Sequence, residues 1–210
     1  MLGIEDFFAA CSGLWKTERT YHYPLEGKVE RSYTELKVQL LTSAEKHQIS
    51  SAFIPPEFFR ETSQSDQSYG FAIAFETLSE TGEEVAMRLK ALFIPDDFLT
   101  YPERLPQDTA APGAPLAAEL PTTKEVIKGF YLRDEGYSES GAITGRFTYL
   151  PSRQTLEMTT YYSQSVAVDQ MRLMSPRLRL RTIVTYQRPT PGAVPSVINL
   201  VGFGMERRED

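Results

Sequence analysis

The sequence predicts a mainly β protein whose antiparallel strands close into a barrel or fold into a sandwich. Three observations carry this. Segment after segment alternates with a period of two, only two short stretches have helical spacing, and turn signals such as "LSETGEEV" separate the alternating runs.

Taken in chain order, "IEDFFAACSG" is predicted as a short helix. Ile4, Phe7, Phe8 and Cys11 recur at helical spacing, and Gly13 follows as a stop. From Trp15 the period becomes two. Trp15, Thr17, Arg19, Tyr21 and Tyr23 share one face, and Lys16, Glu18, Thr20 and His22 share the other. The first face is the aromatic one, so it is expected to face the core and to carry Arg19 inward. "ERSYTELKVQLL" alternates Ser32, Thr34, Leu36, Val38 and Leu40 against Tyr33, Glu35, Lys37 and Gln39. "TSAEKHQISSA" is predicted as the second helix, with Thr42 and Glu45 spaced as a capping box.

Further strands are expected over 69–78, 84–94, 125–136, 143–150, 155–163, 174–186 and 196–208. Residues 101–124 hold five prolines, are rich in alanine and have no period, so they read as a long Pro/Ala-rich loop within a single domain spanning 1–210.

Composition narrows the function. The chain has 210 residues, enough for a core without disulfide staples, and a formal net charge of −6. An acidic chain argues against broad nucleic-acid binding, which needs a basic surface. Its one cysteine, Cys11, permits no intrachain disulfide and fits a reducing, cytoplasmic compartment. No apolar run approaches the roughly 20 residues of a membrane span, and the acidic start "MLGIEDFF" is unlike a secretory signal. His22, His47 and Cys11 form no metal-ligand spacing, and neither histidine has a nearby nucleophile to activate. No phosphate loop or redox-cofactor motif is present. Cys11, on the apolar stripe of the first helix, is read as a core residue.

One local pattern departs from this acidic average. In "MSPRLRLRTIVTY", Arg177, Arg179 and Arg181 occupy every second position. On a strand they share one face about 6.7 Å apart. Three cations so placed repel unless an anion or carboxylates lie among them. The face could be solvated, it could guard a sheet edge, or it could bind an anion through bidentate guanidinium forks. Asp169 and Glu206 are the acids near this strand and near the end of the last strand. "GLW" at 13–15 resembles the Gly-x-Trp signature of lipocalin-type barrels, in which Trp15 would plug one end.

Longer tokens point to one family. "WKTERTYH" at 15–22, "YLRDEGYSESGAITGRFTYL" at 131–150 and "DQMRLMSPRLRLRTIV" at 169–184 together resemble the S-type phycobiliprotein chromophore lyases. "SPRLRLRT" is the most specific, since the family has Ser-Pro-Asn-Leu-Arg-Leu-Arg-Thr or close to it. The resemblance implies a lipocalin-like, fatty-acid-binding-protein-like antiparallel barrel with an N-terminal helix. It also implies a lyase that holds a linear tetrapyrrole, phycocyanobilin or a related bilin, without a covalent link. The bilin would be delivered to a cysteine of an apo-phycobiliprotein, in a cyanobacterial cytosol or plastid stroma, as substrate and not as cofactor.

Carried over by position, the resemblance assigns catalytic roles to Asp169, Arg179 and Arg181. It assigns bilin contacts to Arg19, Trp15, Tyr21, Phe75 and Glu206. The arginines would grip the bilin propionates, and Asp169 would accept from pyrrole N–H groups. Phe75 stands where the family commonly has tryptophan, Ile183 where a hydroxyl residue often follows the arginine run, and 160–162 reads "TYY" in place of Thr-Glu-Tyr. A non-catalytic bilin carrier, or a partner subunit of a heteromeric lyase, is the competing expectation, and a homodimer is the default expectation for an oligomer.

Overall fold

The computed structural model describes residues 2–60, 68–100, 102, 126–137, 139–190 and 192–209. Among them, ten antiparallel strands close into a barrel with two α-helices. The strands are β1 (Gly13–Tyr23), β2 (Lys28–Leu40), β3 (Tyr69–Ser79), β4 (Glu84–Pro95), β5 (Ile127–Arg133), β6 (Ile143–Leu150), β7 (Thr155–Tyr161), β8 (Ser165–Ser175), β9 (Leu178–Gln187) and β10 (Ile198–Arg208). Each pairs with its neighbour in sequence, and β1 pairs with β10 to close the ring. Closure leaves no sheet edge, so the edge-guarding role for the arginines falls away.

The first helix, α1 (Ile4–Cys11), forms as its apolar spacing predicts and buries Ile4, Phe7, Phe8 and Cys11. Phe8 stacks on Phe71 of β3 at 4.5 Å between ring centroids and meets Phe93 of β4 edge-on at 4.9 Å. Phe7 packs on Tyr149 of β6 at 4.9 Å, and the Tyr149 hydroxyl donates to the Leu2 carbonyl at 2.9 Å. The helix therefore stops one end of the barrel with aromatic rings from three strands. Ser12, not Gly13, is its C-cap; Gly13 opens β1 at a φ of +129°, where a side chain is disfavoured.

The second helix, α2 (Ser43–Phe53), has the expected capping box, with Thr42 and Glu45 satisfying each other's backbone. It lies outside the barrel over β4 and β5, where Ile49 and Ile54 cluster with Leu92, Ile94, Phe130 and Leu132. The stretches 91–95 of β4 and 129–133 of β5 are thus buried on both faces, which is why they read as apolar runs and not as alternation.

Two sequence expectations need correction. The 174–186 strand is two elements: β8 ends at Ser175, Pro176 and Arg177 make the turn, and β9 starts at Leu178. Arg177 therefore leaves the face it was expected to share with Arg179 and Arg181. Strand β8 itself had no counterpart among the expected strands, because its apolar residues fall on both parities. Val166 and Val168 pack with Tyr161 and Tyr186, while Met171 and Leu173 enter the main core. Leu40, of the same parity as the buried Leu36 and Val38, is 49% exposed at the end of β2, and Leu41 is buried under α2. The expected 101–124 loop lies, but for Pro102, outside the described residues.

Candidate ligand-binding site

Above the α1 stopper the barrel encloses a cavity of about 430 Å³. Leu36, Val38, Phe71, Ile73, Phe93 and Met158 give it apolar walls. Its lining also includes Val85 and Tyr137, 46% and 51% exposed, so it opens to solvent at the end away from α1. Deep in this apolar space sit four guanidinium groups, from Arg19, Arg133, Arg179 and Arg181, and the carboxylate of Asp169.

The arginines of β9 face inward. Opposite Arg179 on β10 stands Glu206, which also faces Thr17 of β1. Glu206 is fully buried and accepts from three arginines: Arg179 Nε to Oε2, Arg181 Nε to Oε1 at 3.0 Å, and Arg19 Nη2 to Oε1 at 3.0 Å. Arg181 Nη1 also donates to Asp169 Oδ1 at 3.0 Å. Carboxylates therefore lie among the cations, which resolves the repulsion that the alternating arginines posed. Burial pushes the Glu206 carboxyl up, but the guanidinium groups of Arg179, Arg181 and Arg19 reverse that and hold it well below the usual carboxylate range.

The cluster is seated on the indole of Trp15. The Arg179 guanidinium lies 4.1 Å from the Trp15 ring centroid, and the Trp15 N–H and Arg179 Nη1 both donate to the Cys11 carbonyl at the end of α1, at 2.9 and 3.3 Å. Trp15 and Glu206 are absent from the cavity lining. They support the arginines from beneath, whereas the sequence reading expected both to touch a ligand. Cys11 is fully buried, and burial pushes its thiol up despite the nearby Arg179 and Arg181, as suits a core residue.

Two glycines that the sequence reading passed over make this packing possible. In "VGFGMER", Gly202 and Gly204 share the inward parity of Glu206. Gly204 pairs with Arg19 on one side and Arg181 on the other; Gly202 pairs with Tyr21 and Ile183. A Cβ on Gly204 would meet the Glu18 carbonyl oxygen at 2.8 Å and Arg19 Cγ at 3.0 Å, and one on Gly202 would meet the Tyr21 ring at 2.7 Å. The gaps in β10 are filled by side chains leaning over from β1.

Of the other expected site residues, Tyr21, Phe75 and Asp169 line the cavity with Arg19, Arg179 and Arg181. The Tyr21 hydroxyl accepts from Arg19 Nη1 at 3.5 Å. The Phe75 ring lies 6.0 Å from that of Tyr137, which reaches in from the β5–β6 connection. Arg133, with Tyr131 and Tyr162 beside it, was not singled out in the sequence. Among the described residues no group of three or more His, Cys, Asp or Glu side chains is placed to hold a metal ion, and no helix is long and apolar enough to cross a membrane.

Comparison with known proteins adds the family. The family model for CpeS-like protein matches residues 3–97 and 100–209. This chain belongs to the CpeS-like family. Its relatives in that family include chromophore lyase CpcS/CpeS 1 of Synechococcus sp. (strain JA-3-3Ab), 40% identical over 96% of this chain and 94% of the relative. Chromophore lyase CpcS/CpeS of Thermosynechococcus vestitus (strain NIES-2133 / IAM M-273 / BP-1) is 22% identical over 87% of this chain and 84% of that one. The S-type phycobiliprotein lyase CPES from Guillardia theta has the same fold, with a TM-score of 0.64 at 15% identity, covering 100% of this chain and 94% of that structure. The expected barrel with an N-terminal helix is thus the fold of this CpeS-like chain, and lyase is its enzyme class.

Proposed function

We propose that this CpeS-like protein is a chromophore lyase that binds a bilin in the barrel and attaches it to a cysteine of an apo-phycobiliprotein. The observation that carries the reading is charge deep inside an apolar cavity. Three guanidinium groups, of Arg19, Arg179 and Arg181, face two carboxylates, Asp169 and Glu206, and Arg133 adds a fourth cation to the lining, leaving two positive charges in excess. An isolated buried cation is costly, so an excess of two is suited to a ligand that is apolar and carries two negative charges. A bilin with two propionates has that chemistry, and phycocyanobilin is the form we propose.

In this reading the apolar walls and the rings of Tyr21 and Phe75 exclude water and fix the tetrapyrrole. Arg181 and Arg19, held in place by Glu206, reach a propionate. Asp169, oriented by Arg181, accepts from pyrrole N–H groups and favours the protonated tetrapyrrole, which makes its ethylidene group a better electrophile. The acceptor thiolate then adds to the ethylidene carbon. A C–S bond forms, the double-bond electrons move into the conjugated system, and the proton lost by the thiol ends on the tetrapyrrole, so no oxidant or reductant is consumed. The chain contributes binding and positioning, which orient the two reactants for one outcome. The bilin is substrate, and no separate cofactor enters. The setting is that of the acceptor, a cyanobacterial cytosol or plastid stroma.

Co-expression with apo-phycobiliprotein subunits and a bilin-producing pathway tests this. Covalent colour on the acceptor in denaturing gels is the expected result. Colour that appears only when a second family member is added would instead make the chain a partner subunit.

A further inference from the structure

The cavity has two cationic regions, on opposite sides of the ring. Arg19, Arg179 and Arg181 lie on β1 and β9, flanking β10. Arg133 ends β5, five places around the ten-strand ring from β10. Its environment differs in kind. Arg133 is 1% exposed and lines the cavity, yet no carboxylate pairs with it among the described residues. Its Nη2 donates to the Tyr162 hydroxyl, and its guanidinium lies 4.4 Å from the Tyr137 ring centroid, 5.6 Å from Tyr131 and 5.7 Å from Tyr162. Its Nε has no hydrogen-bond partner among the described residues. Aromatic faces and one phenol orient a guanidinium but leave its charge uncompensated.

Charge divides evenly between the two regions. On the β9 side three arginines meet Glu206 and Asp169, a surplus of one. On the β5 side Arg133 alone supplies a surplus of one. We propose that Arg133, oriented by Tyr162 and backed by Tyr131 and Tyr137, is a second carboxylate anchor. The two propionates of the ligand would then be split between opposite walls, one at Arg181 and Arg19 and the other at Arg133. The split sets the direction in which the tetrapyrrole lies across the barrel, and with it which end faces the acceptor. This inference rests on the bilin reading above and specifies its geometry.

Absorption titration with phycocyanobilin and with its dimethyl ester separates the possibilities. Loss of one charge-assisted carboxylate contact corresponds to roughly ten- to a hundredfold in affinity. Arg133→Gln is expected to weaken binding of the free acid by that factor and to leave binding of the diester unchanged. Unchanged diester affinity also reports an intact cavity. Because Arg133 has no buried carboxylate partner to strand, the variant is expected to melt no lower than the parent. If Arg133→Gln does not fold, Tyr162→Phe, which removes only the orienting hydroxyl, is expected to weaken the free acid selectively by a smaller factor. Equal free-acid affinity in parent and variant would overturn the second anchor while leaving the bilin reading intact. Absence of phycocyanobilin binding to the parent would overturn both.

Discussion

Arg179 and Glu206 face each other across β9 and β10, and both side chains are almost completely buried, 1% and 0% exposed, with Arg179 Nε donating to Glu206 Oε2. The pair lies between the Trp15 ring below and the ligand cavity above. Its arrangement gives the two inward arginines of β9 separate roles. Arg179 ties the cluster to α1 through the Cys11 carbonyl, whereas Arg181 joins Glu206 to Asp169 in the cavity wall.

Glu206→Gln is therefore expected to destabilise the fold. Three buried or half-buried guanidinium groups would lose their shared counter-charge, and breaking a buried ion pair costs about 3–5 kcal/mol. For a chain of this size that lowers Tm by roughly 10 °C. Calorimetry at neutral pH checks it. An unchanged Tm would show that the cluster contributes nothing net to the fold.

The same pair sets a pH dependence. The folded-state pKa of Glu206 is depressed, so its contribution to stability is complete above the ordinary carboxylate value of about 4.3 and is lost only as pH falls through the depressed value. The Tm gap between parent and Glu206→Gln should stay constant from about pH 8 to pH 5 and close only in stronger acid. A gap that closed above pH 5 would mean the carboxylate is not held by the arginines.

Gly204→Ala tests the packing of β1 over β10. The added Cβ would lie 2.8 Å from the Glu18 carbonyl oxygen, which is backbone, and 3.0 Å from Arg19 Cγ, so Arg19 must shift. Overpacking of this kind costs about 1–3 kcal/mol. Both Tm and bilin affinity should fall. A variant with parental values in both would show that Arg19 can move without consequence.

Cys11→Ser should keep chromophore transfer. The thiol is buried in the stopper core, where burial pushes its pKa up and favours the protonated form, and in the proposed reaction the accepting thiol is the apo-phycobiliprotein's. Transfer to an apo-phycobiliprotein, scored together with Tm, checks this. Lost transfer with an unchanged Tm would point to a covalent intermediate on Cys11.

Much of this arrangement was legible in the sequence where a local period carries the information. The alternation of β1 placed Arg19 inward with Trp15 and Tyr21, and Thr42 with Glu45 marked the start of α2. What failed was non-local. The turn at Pro176 and Arg177 interrupts a run of arginines whose spacing continues through it. Strand β8 hides because Val166 and Val168 are buried on the outer face while Met171 and Leu173 are buried on the inner one. Arg133 ends "FYLR", in which every residue is buried, so no alternation shows which way it points. Gly202 and Gly204 matter only through the β1 side chains that cross them, a register no local pattern contains.

The central claim is that inward arginines of β9 hold the bilin. It is tested most directly by absorption titration of phycocyanobilin into the parent, Arg181→Ala and Arg177→Ala. Arg181 lines the cavity, and one charge-assisted contact to a carboxylate is worth roughly 1.5–3 kcal/mol, so its loss should weaken binding about ten- to a hundredfold. Arg177 sits in the β8–β9 turn, off the cavity lining, and its replacement should leave affinity within about twofold of the parent. Equal affinity in all three proteins would contradict the account.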